Sequence, residues 1–197
     1  TETEGKREIE PEEREEKGIW DFVVDGEKSM KDITKCTARI TEATEGIGKK
    51  MRERTAEVQK IAQSRAPGTA SRIHKLAAAV ATDMIQYANK LEEEQPKLHN
   101  AWESFDENIS GLVQTTQIHT KEDKEKTLEF RSVVDGFQSE IKHALEGVQR
   151  FRESVAGMKG IRISRDVNRA SKRVTHILDL LISDLEGADS YCTKVLT

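Results

Sequence analysis

Aromatic residues make up only 5% of this sequence, and it holds three prolines and two cysteines. So few aromatics, beside 35% charged residues, exclude the usual composition of a sandwich or a doubly wound sheet and fit long amphipathic helices. The two cysteines, Cys36 and Cys192, lie far apart in sequence and do not make a disulfide scaffold. A reducing compartment is therefore the default, and a cytoplasmic location is expected. No run of apolar residues is long enough to cross a membrane; the nearest, ILDLLISDL (Ile177 to Leu185), is interrupted by aspartates. The first 17 residues are acidic and polar, unlike a secretory leader. Catalytic signatures are missing too: there is no Gly-x-Ser-x-Gly, no His-Glu-x-x-His and no dinucleotide fingerprint. Neither catalysis nor a cofactor is expected.

What the sequence does contain is periodicity. Residues 1–18 read as an acidic leader, frayed or disordered, and 19–197 as a single domain. GIWDFVV, with Trp20 and Phe22, reads as a short element capping one end of the core, or more sharply as a docking or membrane anchor. From Met30 onward, Ile33, Thr37, Ile40, Thr44, Ile47 and Met51 recur at steps of three and four, a heptad seam. Similar seams run from Ile73 to Leu112, from Phe130 to Met158 and from Ile163 to Val195. Glu94 and Asp184 are polar intruders on them.

Helices are thus predicted over about 26–65, 69–116, 121–158 and 162–196, the second kinked near Pro96 or, as the alternative, divided there into two. Pro67-Gly68 and Gly157 to Gly160 are the breaks. Three short links predict antiparallel neighbours, hence an all-α, elongated up-down-up-down four-helix bundle with coiled-coil-like packing. Within the first helix, GIGKK (Gly46 to Lys50) invites a phosphate-loop reading. The loop requires an earlier glycine where Ala43 stands and a hydroxyl where Lys50 stands, so the segment is predicted to be helix.

Charge is unevenly placed although the net charge is only -4. Segment 46–80 holds eight basic residues against two acids, and 145–175 eight against three. Helices of a bundle that turn near 67 and 160 bring these segments to one end. Lys159, Arg162, Arg165, Arg169 and Lys172 recur opposite the apolar seam, and Arg72 and Lys75 sit at the start of the second helix. The bland reading is a solvated pole balanced by acidic surface elsewhere. The functional reading is a partner-binding surface for an acidic protein or anionic membrane headgroups. Nucleic acid is disfavoured, because no aromatic residue is interleaved to stack a base.

Metal-ligating patterns are thin. Glu140 and His143 have the Glu-x-x-His step, but no second such motif accompanies them. Cys36, His99 and Cys192 fall at similar heights, as a zinc site would require, without an evident fourth ligand. No metal is expected, and both cysteines read as buried or half-buried thiols, with a Cys36–Cys192 disulfide as the alternative. Helices of this length and regularity occur in chemoreceptor-like sensors, membrane-remodelling domains and helical pore-forming toxins. The likeness is one of architecture, and no motif selects one of them. The reading the residues favour is a non-enzymatic interaction module, an adaptor, sensor or regulatory rod in signalling or scaffolding. The second is a peripheral membrane protein. A metal-dependent bundle enzyme comes last. A homo-oligomer is compatible with all three.

Overall fold

A computed structural model describes residues 18–64, 66–114, 121–157 and 164–196, with all their side chains except those of 113–114, 121–123 and 157. It is a bundle of four helices: α1 (Ile19–Ser64), α2 (Thr69–Gln114), α3 (Lys121–Gly157) and α4 (Arg165–Leu196). No strand occurs among the described residues.

The heptad seams become the core. Ile33, Ile40, Met84, Leu91, Phe105, Phe130, Ile141, Leu181 and Leu185 are each no more than 1% exposed. Burying one such side chain contributes roughly 1.5–3 kcal/mol, so the stripe holds the fold far more than helix propensity does. Gly46, Ile47 and Gly48 lie in unbroken helix, with Ile47 buried between the two glycines, so GIGKK is helix.

The first helix begins seven residues earlier than its periodicity predicts. GIWDFVV is its opening turns, not a separate element. The Gly18 carbonyl accepts from the backbone N–H of Asp21 and Phe22, while Gly18 N–H donates to Asp21 Oδ2 at 3.2 Å. That reciprocal cap starts the helix, and the Asp21 carboxylate also suits its positive end. Val23 is buried, and Phe22 lies directly over Gly111 of α2, where any β-carbon would collide with its ring.

α1 ends before Pro67-Gly68. Gly68 has φ +80°, a left-handed conformation in which a side chain is strained, so the turn depends on glycine. α2 then runs without interruption through Pro96, which faces solvent, and no second helix begins there. α4 starts at Arg165. Ser164 is outside the helix and caps it, its Oγ accepting from Asp166 N–H at 3.2 Å. The links 115–120 and 158–163, and with them the ends predicted at 116, 158 and 162, lie outside the described residues.

Helix neighbours are not those the short links predict. α1 packs on α2 and α3, and α4 packs on α2 and α3, while among the described residues α2 and α3 stand on a diagonal, as do α1 and α4, without close backbone approach; α2 and α3 meet through side chains such as Phe105 and Phe137. The ring order is α1, α2, α4, α3. Against α1, α2 runs in the opposite direction: Ser29 meets Ser104, Arg39 meets Glu94 and Thr44 meets Tyr87. Against α4, α2 runs in the same direction: Ser171 meets Met84, Arg173 meets Glu92 and Asp184 meets His99. α3 opposes α4, with Gln138 on Asp189 and Arg152 on Asp179. Like-directed helices are therefore in contact, α1 with α3 and α2 with α4, while α2 and α3, successive in the chain, stand on the diagonal. A short link fixes only that successive helices reverse; the apolar stripes decide which faces meet.

Candidate functional site at the basic end

The C-terminal halves of α1 and α3 and the N-terminal halves of α2 and α4 come together at one end. Polar and aromatic contacts set their register. Thr44 Oγ1 and Tyr87 Oη are 2.7 Å apart in the core, where burial pushes the Tyr87 phenol well above its ordinary pKa despite that bond. Tyr87 in turn meets the Phe151 ring edge-on at 5.0 Å. The segments richest in lysine and arginine occupy these halves.

Part of that charge is neutralised locally. Arg152 Nε donates to Asp179 at 2.6 Å, and Arg173 Nε to Glu92 at 2.8 Å, holding the Glu92 carboxyl below its usual range. Asp83, half-buried, has Lys50 at 4.0 Å and Arg54 at 3.8 Å. Arg150 lies 3.6 Å from Glu146.

The remainder is unneutralised. Arg72 and Lys75 on α2, and Arg165, Arg169 and Lys172 on α4, are exposed and make no ion pair with any described residue. Because α2 and α4 run side by side in the same direction, with Met84 level with Ser171, Arg165 stands about one turn beyond Lys75. Both groups therefore lie at the same end of the bundle, on neighbouring helices. Lys159 and Arg162 lie outside the described residues. Lys49, Arg52 and Lys60 on α1 are also exposed and unpaired with any described residue. The sequence reading did not single these three out, although the charge excess of segment 46–80 pointed to them.

Trp20 and Phe22 sit at the opposite end. Trp20 is 51% exposed with the Lys126 ammonium 3.7 Å from its ring, whereas Phe22 is packed on Gly111. Val24 and Leu128 add to the exposed apolar surface there.

The metal candidates are not assembled. Cys36 receives Arg39 Nη2 at 3.5 Å; His99 is held between Asp184 (3.1 Å) and Glu103 (3.0 Å). Cys192 is fully buried on α4, a helix diagonal to α1 in the bundle, and both thiols are free. Glu140 and His143 are exposed along the α1/α3 groove. Among the described residues no group of three His, Cys, Asp or Glu side chains is placed to hold a metal.

The polar intruders on the seams each found a partner on another helix. Glu94 is 1% exposed and takes Arg39 Nε at 2.8 Å, with its second oxygen buried and unbonded. Asp184 likewise bonds His99 through one oxygen and buries the other. Among the described residues no helix is long and apolar enough to cross a membrane. Comparison with family models, with curated proteins and with solved structures finds no match for this chain.

Proposed function

We propose that this chain is a non-enzymatic helical-bundle interaction module, an adaptor, sensor or regulatory rod, that captures an acidic protein surface at its basic end. One observation carries the reading: Arg72, Lys75, Arg165, Arg169 and Lys172 are exposed on two adjacent helices and paired with no described residue. Cations left in water on a rigid surface lose less on meeting a carboxylate than cations already paired. Arginine adds a two-pronged geometry that suits carboxylates. The helical frame beneath the surface holds the charges at fixed spacing.

The test is reversal of charge. Arg72→Glu, Arg165→Glu and Arg169→Glu together leave the helical circular dichroism unchanged and abolish salt-sensitive capture of a glutamate-rich peptide. Capture that survives the triple change overturns the reading.

A peripheral membrane role is the second reading. The same cations suit anionic headgroups, and exposed Trp20, Val24 and Leu128 favour an apolar contact at the other end. Sedimentation with phosphatidylserine vesicles separates the two. Pelleting that needs Trp20 and ignores lipid charge supports the apolar end.

A further inference from the structure

Between their C-terminal halves, α1 and α3 leave a groove of about 940 Å³. Met51, Val148 and Phe151 form its floor, each less than a tenth exposed. Two glycines, one on each wall, keep it open. A β-carbon at Gly147 would meet nothing within 4 Å, and one at Gly48 would meet only the Arg52 guanidinium at 3.6 Å. Bundle helices ordinarily close such a seam with larger side chains. Here volume is missing from both sides of the same seam.

The mouth carries charge of one sign at mid-length. Arg52 stands on one wall and Arg150 on the other. Arg52 makes no ion pair with any described residue, and the Arg150–Glu146 contact joins side chains that are 73% and 65% exposed. Contacts that open to solvent contribute little, so both guanidiniums are available to an incoming anion. Glu45 is the acid on the lining, at the end away from Phe151.

The geometry points to a binding site for a small amphipathic carboxylate, its aromatic or alicyclic body on Phe151 and Met51 and its carboxylate between Arg52 and Arg150. The volume is within the range of about 300–1,000 Å³ typical of small-molecule sites, which in bundles lie between helices. An apolar floor under two guanidiniums matches a ligand with one apolar face and one anionic group. A neutral apolar ligand would leave the arginines unused, and a simple anion would leave the floor unused. The site is separate from the surface proposed above, since none of Arg72, Lys75, Arg165, Arg169 or Lys172 lines it.

A naphthoate, titrated by its fluorescence against the full chain, tests this, with the matching naphthyl alcohol as uncharged comparator. We expect one saturable site per chain and naphthoate binding at least about tenfold tighter than the alcohol. Arg52→Gln with Arg150→Gln erases that difference. Gly147→Leu fills the groove and abolishes binding of both probes, while Gly147→Ala, which adds one carbon in open space, retains it. Circular dichroism of each variant reports the fold. No saturable binding by the native chain, equal affinity for the two probes, or binding untouched by Gly147→Leu overturns the assignment.

Discussion

Helical glycines give the sharpest test of the packing, because the same substitution has opposite consequences at different positions. Replacing glycine by alanine in a helix interior is worth roughly 0.8–1.0 kcal/mol, largely by restricting the unfolded chain. At Gly46 and Gly136 a β-carbon would meet nothing within 4 Å. Gly46→Ala with Gly136→Ala therefore stabilises by about 2 kcal/mol, raising Tm by about 4–8 °C for a chain of this size. At Gly187 the new carbon would lie 2.8 Å from Cζ2 of Trp102. That indole cannot swing freely, since its ring packs on Tyr191 at 5.2 Å and Phe105 at 6.1 Å. Overpacking of this kind costs about 1–3 kcal/mol, which outweighs the helix gain, so Gly187→Ala lowers Tm. Thermal melts followed by circular dichroism at the helix band, with guanidinium midpoints as a second measure, decide the matter. If Gly187→Ala stabilises as much as the exposed pair does, the α2/α4 packing described above is wrong. If the exposed pair destabilises, those glycines are not in helix.

Three further outcomes are expected. Glu94→Met, which removes a buried carboxylate with one unbonded oxygen, is neutral or raises the guanidinium midpoint; Arg39→Met, which leaves that carboxylate with Lys90 at 3.8 Å in place of a direct hydrogen bond from Arg39, lowers it, and the double variant recovers most of the loss. His99 has its pKa raised by the hydrogen bond to Asp184 first and then by the nearby charges of Asp184 and Glu103. Its stabilising contribution is thus fully present below the unfolded value of 6.5 and is lost as pH rises through the folded value. Because the side chain is 46% exposed and screened, urea midpoints at about pH 5.5 and pH 8 should differ by only a fraction of a kcal/mol more than in His99→Gln. Burial pushes the Cys192 thiol up to about 12 and raises Cys36 as well, so a disulfide reagent at about pH 8 finds no fast-reacting thiol in the native protein and two after unfolding.

The glycine and carboxylate predictions rest on contacts of different legibility. Glu94 and Asp184 could be read as intruders because they interrupt a seven-residue rhythm, and that rhythm is a property of one helix alone. Their partners, Arg39 and His99, could not be read, since each comes from a helix whose neighbours depend on the whole assembly. The early start of α1 was missed for a similar reason. GIWDFVV is too apolar to show a clear period, and Phe22 is accommodated only because Gly111 of α2 presents no side chain. Cys36 and Cys192 flank the seams in sequence, yet both are buried, because core helices bury more than a strict heptad stripe.

Local physics was enough for four helices, their apolar faces and the break at Pro67-Gly68: periodicity and backbone conformation act within a few residues. It was also enough to gather positive charge into two segments. Tertiary structure alone decided that α2 lies beside α4 rather than α3, since an apolar stripe states which face is buried but not against what. From that order follow the placing of Arg72 and Lys75 on a helix next to the one that carries Arg165, Arg169 and Lys172, and the groove where Gly48 and Gly147, nearly a hundred residues apart, face a common space.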